Sequence, residues 1–563
     1  MFNAYPLNTV PLNGLAVTDA AEPVPVVQGG SFAWSLVLYL GGEDYTDRLT
    51  GALRVMRAED GDSVFSFALW LGPDPVDVAA FTGAPVYMDF VVQGDPQVSV
   101  RRFTGYLVQP EFDVLSRVLV CEATTRLAAS VEAMEFDAID LLVGGWWSAD
   151  VFEAREGRSR WDYAQERLST RAASLNVTMQ GAPRITPWHP AGISYSFGPG
   201  TTVYQSLDVA LASLVDTVNV VELELDYRYS RYRQRSQNYT WRHPANTFEF
   251  WRMDSTELPD IPMVIEAVES AGWFVTSAAW YRLPGDLPDL PSPWYNKNTD
   301  LLLGCDVGAS LRWSQRVIEA YRLRVEVTAA VDAVGEVIKR NRVVLDTDTD
   351  TDRIWESTRF GVATEAGDDP VDALPRRDQV RLDAAVSTAL RRASVELLSA
   401  QRGNRVTWQV PLAHALGVDL GQRLSLSDEA SITGTVVELN DDLDIETGAA
   451  LLTITLAVSR GASAAVADPL VVPAAPEFVD DFSPGVTVAQ PTQLGLRADS
   501  PLYDPELPGF AGPYSIGNGD PALRYPRRFA LDTPEIPAQW RDENTAEQLV
   551  VYRVAPPVDE LEI

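Results

Sequence analysis

One short block of strand-forming sequence occurs twice in this chain, in the same order and with the same glycines. Gly83 to Asp89 reads GAPVYMD and Gly421 to Ser427 reads GQRLSLS, both of the form Gly-x-x-apolar-x-apolar. Each is followed by a strand carrying a Thr-Gly pair: FTGYLV from Phe103 and ITGTVV from Ile432. An acidic turn comes next (Glu111 to Asp113; Asn440 to Asp444), then a closing strand (Arg117 to Glu122; Leu451 to Val458). Apolar alternation alone would reproduce part of this match. The order of the matched elements is what argues for a duplicated β module.

The rest of the chain is read around that repeat. Before it, Ser31 to Leu40, Ala52 to Arg57 and Val64 to Leu71 are strand-like, and Gly61-Asp62 makes the last two a hairpin. Many short strands at even spacing predict a sandwich or small barrel. In the middle, Trp161 to Leu175 and Tyr204 to Leu214 have helical spacing. Val220 to Tyr229 alternates strictly and predicts a strand that runs on through Arg231, Arg233 and Arg235. Arg322 to Val327 and Val337 to Val344 predict strands paired around Gly335. Asp378 to Ala400 predicts a helix with a buried stripe of Val380, Ala384, Leu390, Val395 and Leu398. From Ala467 prolines recur every few residues with apolar residues between them, which predicts an extended arm laid over neighbouring subunits.

The fold class expected is therefore mainly β with α+β insertions: two similar small β-barrel or sandwich domains that form a tube, a mixed middle region and an extended Pro-rich C-terminal arm. The expected boundaries are 1–130 for the first barrel, 131–320 for the mixed middle, and 321–400 for strands and a helix leading onward. The second barrel covers 401–465 and the arm 466–563.

Charge narrows the function. With 79 Asp and Glu against 45 Lys and Arg, the formal charge is −34. That balance disfavours holding nucleic acid by its phosphates and docking on an anionic membrane. It suits a surface that DNA passes without sticking. Cys121 and Cys305 lie far apart in sequence, which argues against a disulfide framework or a Cys-rich metal site. The opening MFNAYPLNTVPLNG has neither the basic residues nor the apolar run of a signal peptide, and no segment reaches the roughly 20 apolar residues that span a bilayer. No membrane insertion is expected, and assembly in a host cytoplasm is.

No catalytic site is legible, and no cofactor is expected. His189, His243 and His414 lack a neighbouring nucleophile motif and read as structural. The run LDTDTDTDR places Asp346, Asp348, Asp350 and Asp352 as a weak calcium candidate. It lacks the Gly and terminal Glu of an EF-hand loop, so a solvated strand end is the preferred reading. Trp146-Trp147 suits buried core or subunit contact better than a sugar platform. Arg228, Tyr229, Arg231, Tyr232, Arg233, Arg235 and Trp241 form the one basic, aromatic cluster. Arg, Tyr and Trp are typical of interface hot spots, so a subunit interface is preferred over nucleic acid.

The segment FTGYLVQPEFDVLSRVLVCEATTRLA (Phe103 to Ala128) resembles the first barrel of baseplate and tail-tip hub proteins of long-tailed bacteriophages. Arg402 to Ser459 looks like the second, tube-forming barrel of that family, with a siphovirus-like, non-contractile tail preferred. The resemblance implies a structural virion protein without enzymatic activity. It implies a homotrimeric ring in which two barrels per subunit mimic six-fold symmetry. Such a ring joins a distal tail protein or tail tube to fibres, spike or receptor-binding proteins, and so serves host attachment. Tape-measure protein and DNA pass through its lumen during genome ejection. A tail-associated polysaccharide-binding or glycan-cleaving protein is the alternative.

Overall fold

The computed structural model describes residues 23–26, 32–94, 97–213, 217–242, 261–270, 272–282, 302–347, 377–459, 467–478, 487–488, 510–511, 528–529, 538–557 and 559–563. Three bodies are built on the three larger hydrophobic cores among these residues.

The first body is built from alternating strands. They are β1 (Val24–Val26), β2 (Ala33–Leu40), β3 (Glu43–Asp44), β4 (Leu49–Ala58), β5 (Val64–Trp70), β6 (Pro85–Gln93), β7 (Val98–Leu107), β8 (Glu111–Asp113) and β9 (Val118–Thr124). Every second residue is buried: Phe65, Phe67 and Leu69 in β5, and Leu119, Cys121 and Ala123 in β9. That period of two is what a sheet with one covered face requires.

Helices α1 (Leu127–Glu132), α2 (Phe136–Val143) and α3 (Arg160–Leu168) then pack with the hairpin β10 (Ala173–Val177) and β11 (Pro183–Pro187) into a small separate core. The helix expected over Trp161 to Leu175 thus ends at Leu168, and its second half is the buried strand β10. Strands β12 (Tyr195–Phe197) and β13 (Asp208–Ala210) return to the first body. Tyr204 to Leu214 is not helical where described, because pairing of β13 with the first strand of the second module outweighs the local spacing.

The second large sheet is dominated by β14 (Val220–Arg242) and β16 (Leu302–Glu326), antiparallel along their whole length. Between them in sequence come α4 (Ile261–Ser270) and β15 (Phe274–Arg282); α5 (Thr328–Val334) leads from β16 to β17 (Ile338–Thr347). The strands expected to pair around Gly335 do not touch each other: β14 lies between them, bonded to both. Helix α6 (Arg377–Ala400) covers the sheet face formed by Val221, Leu223, Leu225 and Tyr227. Its buried stripe is Leu382, Val386, Leu390, Ala393 and Leu397, whereas Val380 is 69% exposed. The stripe is rotated from the expected one because small alanines occupy much of it.

After α6 come β18 (Asn404–Pro411), β19 (Arg423–Ser427), β20 (Ser431–Asp444) and β21 (Ala449–Val458), which share one hydrophobic core with the N-terminal strands. The remaining elements are β22 (Thr487–Val488), β23 (Phe510–Ala511), β24 (Arg528–Phe529), α7 (Ala538–Arg541), β25 (Asn544–Arg553) and β26 (Leu561–Glu562). The expected arm is anchored on its own chain where described. Leu470, Val472 and Phe478 pack on the second core, β25 runs parallel to β16, and β26 pairs with β20. The fold is mainly β, as expected, but among the described residues no barrel closes: β4 does not pair with β2 and joins β20 instead.

Candidate functional site

The two copies of the repeat share topology and register. In the first, sheet order is β5-β9-β7-β6; in the second it is β18-β21-β20-β19. Both have a 3-10 turn between the first and second strands of the module, over Val78–Phe81 and Leu412–His414. The amide of Gly83 donates to the Leu107 carbonyl at 2.9 Å, and that of Gly421 to Val436 at 3.0 Å. The return bonds, Leu107 to Ala84 and Val436 to Gln422, are both 2.9 Å. Gly105 and Gly434 stand opposite Val86 and Leu424, the third residue after each of those glycines. A Cβ at Gly105 would lie 2.5 Å from the Thr124 carbonyl, and one at Gly434 would lie 2.7 Å from that of Ala457. Close backbone approach is thus why the Thr-Gly pair recurs.

The correspondence extends beyond the sequence match. Phe65, Phe67 and Leu69 face Ala123, Cys121 and Leu119; Val406, Trp408 and Val410 face Leu456, Ile454 and Leu452 in the same way. Both hairpins slip by one residue after Leu107 and Val436. Both turn through four residues, with Asp113 or Asp444 accepting the amide two residues on at 2.9 Å. Hydrogen bonds from Ser116 and then Leu115 to Asp113, and from Thr447 and then Glu446 to Asp444, hold both carboxyls below their usual range. Strand β13 pairs with β18 as β4 pairs with β5, so Val209 opposite Val406 occupies the place of Val55 opposite Phe65. The sequence offered little sign of this, since β13 is only three residues long.

The modules join through β4 and β20, from Ala58 opposite Glu438 to Ala52 opposite Asp444. An unbroken antiparallel ribbon results, in the order β13-β18-β21-β20-β4-β5-β9-β8. Its core side is sealed. Its other face is mixed: side-chain contacts link Thr407 to Thr455 at 3.1 Å, Gln409 to Thr453 at 3.3 Å, Thr453 to Asp442 at 3.4 Å and Asp442 to Arg54 at 3.3 Å, while Met56, Trp70 and Val120 are exposed apolar side chains in its first half. Glu111, Asp113, Glu122, Asp208, Glu438 and Asp444 lie on this face by strand alternation, against Arg54 and Arg405. It is an acidic face.

Beneath the ribbon, ion pairs tie the modules together. Arg102 of β7 is fully buried and grips both oxygens of Asp441 at 2.7 and 2.6 Å. Arg57 of β4 reaches Asp419 at 3.1 Å, and Arg184 reaches the same carboxylate at 2.6 Å. Burial, reinforced by the charge of Arg102, pushes Arg57 down to about 10. Burial alone would raise Asp419, but the Arg184 hydrogen bond and the Arg57 charge hold it below its usual value. Arg402 bonds Glu59 at 3.0 Å and lies over Trp188. Sequence spacing gave no sign of this seam, because its members come from four distant stretches.

The residues singled out from sequence are scattered. Tyr229 is 5% exposed and belongs to the second core, its hydroxyl 3.5 Å from Glu319, so it is not an open contact residue. Arg228 is half-buried, 3.7 Å from Asp226. Arg231, Tyr232, Arg233, Arg235 and Trp241 continue β14, opposite Gln315 to Cys305; their side chains lie outside the description. Asp346 is in β17 opposite Arg228, while Asp348, Asp350 and Asp352 lie outside the described residues. Among the described residues no cluster suited to a metal ion occurs. Trp147 donates to Glu166 at 3.1 Å and Arg391 lies over Trp146, so both rings have protein partners. Burial, with the charge of Arg402, pushes His189 down to about 4; His414 packs on Phe32; His243 lies outside the described residues. No described helix is long and apolar enough to cross a membrane.

No protein-family model matches the chain, and no curated protein matches it in sequence. Solved structures do. A tail protein from Neisseria meningitidis MC58 is 8% identical, with 75% of this chain and 96% of that chain covered at a TM-score of 0.37. The 43 kDa tail protein of prophage MuSo2 from Shewanella oneidensis is 10% identical, covering 75% and 98% at 0.35. Prophage tail protein gp18 from Listeria monocytogenes EGD-e is 8% identical, covering 76% and 95% at 0.30. At these values no residue role is carried across.

Proposed function

We propose that this chain is a structural subunit of a bacteriophage tail tip, a trimeric hub ring around the channel through which DNA leaves. The observation that carries this reading is the ribbon of two equivalent four-strand halves, with a shared core on one side and a face of net acidic charge on the other. Two equivalent modules per chain let three chains present six similar units to a hexameric tube. The acidic face then lines the bore. Its carboxylates repel phosphate and pair poorly with a passing polyanion, so DNA and tape-measure protein slide without being trapped. No step in this role calls for catalysis.

In this reading the ring sits between a tail tube or distal tail ring and the fibres, spike or receptor-binding proteins, in the virion tail. Mass measurement and electron microscopy of the purified chain test it. Trimers with a six-fold-like rim and a central bore are expected. A chain that stays monomeric at every concentration and salt, in solution and on tail tubes, overturns the ring.

A further inference from the structure

Among the described residues the ribbon ends in two unpaired edges, and the internal joint shows what fits them. We infer that a second copy of this chain lays its β13 along the β8 edge of the first, in the register of the β4–β20 joint. This rests on the ring reading above and specifies its contact. Among the described residues, β13 pairs only with β18 and β8 only with β9, so each keeps one unpaired edge. Such edges are templates for strand addition. The same two positions are filled inside the chain: β4, the counterpart of β13, occupies the edge of the C-terminal half of β20, which corresponds to β8 as its N-terminal half corresponds to β7. Joining one head edge to one tail edge is a heterologous contact, which closes into a ring when its rotation allows.

The turn tips support the same pairing. In the second module the tip is held: Trp34 Nε1 donates to the Gly448 carbonyl at 3.0 Å, and Ile445 and Gly448 line a groove of about 460 Å³ with Trp34 and Leu49. In the first module the tip is uncovered, with Val114 71% and Leu115 95% exposed. An apolar tip left in water beside an open edge is what the internal joint would look like with its partner removed.

Register follows from the repeat. Met56, Val55 and Arg54 face Asn440, Asp441 and Asp442. Their counterparts place Ala210 opposite Glu111, Val209 opposite Phe112 and Asp208 opposite Asp113 of the next copy. The last pair differs in sign: Arg54 and Asp442 attract at 3.3 Å, whereas Asp208 and Asp113 repel. The joint between chains is therefore weaker than the one within them, and salt strengthens it.

The test uses full-length chains carrying Cys305→Ser. Ala210→Cys chains are mixed with Glu111→Cys chains and oxidised, with Met56→Cys/Asn440→Cys in one chain as the internal reference and Asp113→Cys as the off-register partner. Cross-linking of 210 to 111 in preference to 113 is expected. So is a gain of about threefold to tenfold in association for Asp208→Arg, cancelled by adding Asp113→Arg. Trimers that form without the 210–111 cross-link overturn this joint and leave the ring standing. Trimers in which Asp208→Arg weakens association overturn the register. Monomers throughout remove the ring and the joint together.

Discussion

The two β modules are the same object in different surroundings. Each has the glycine that opens its second strand, the Thr-Gly that admits a crossing backbone, the one-residue slip and the Asp-led four-residue turn. They differ at their margins. The second module's hairpin carries β4 on its outer edge and its tip is anchored by Trp34; the first module's hairpin is shorter, its tip is exposed, and among the described residues no strand covers its edge. The difference teaches that module geometry is internal, set by local backbone constraints, while module edges carry the assembly.

The seam offers the hardest test of this division. Arg102→Ala removes both hydrogen bonds to the buried Asp441 carboxylate and leaves it Arg57 at 3.8 Å, with a loss of about 3 kcal/mol in urea unfolding and both modules unfolding together. Replacing both partners by apolar residues should recover most of that loss. Separate transitions for the two modules in the wild-type chain would show that they are not one cooperative unit.

Next come the paired glycines. Gly105→Ala and Gly434→Ala each push a methyl into a carbonyl of the neighbouring strand and should cost about 1–3 kcal/mol each, by similar amounts. Thermal denaturation of the two variants side by side checks this, and a tolerated change in one module alone would break the equivalence.

A pH scan is a gentler probe of the seam. His189 titrates near 4 when folded and near its ordinary value when unfolded, so the unfolded chain takes up the proton first. Stability should be full above about pH 6.5 and fall as pH drops toward 4. His189→Gln should flatten that slope. Asp419, whose folded value is depressed, adds a loss only at lower pH, below the ordinary carboxylate range. A slope unchanged in His189→Gln would place the acid sensitivity elsewhere.

The smallest effect belongs to the bare tip. Leu115→Ser should change the stability of the isolated chain by less than about 0.5 kcal/mol, since its side chain touches water. Ile445→Ser, at the anchored tip, should cost more. Equal losses would mean that the first tip is already covered within one chain.

Much of this was legible in sequence. Alternation gave the strands of both modules, and the glycine pattern gave their equivalence, because both are consequences of local backbone geometry. Helix α6 was legible in extent but not in facing, since its buried alanines carry little hydrophobic signal. The interface candidates on β14 were read from composition, and Tyr229 instead entered the core because its place in the alternation points it at α6. Strand β13 was misread as helix, and β25 and β26 were hidden in Pro-rich surroundings. Each acquires its form from a partner far away in the chain.

Sequence by itself determined that the chain is mainly β, strongly acidic, and built on a repeated strand-Gly-strand unit. Only the tertiary structure decided that the two units fuse edge to edge instead of closing separately, and that Arg57, Arg102, Asp419 and Asp441 meet beneath the joint. The physical reason is that a period of two says which face a residue takes, not which strand lies beside it. Neighbour choice is settled by backbone pairing and buried charge over long separations, and neither leaves a mark on local sequence.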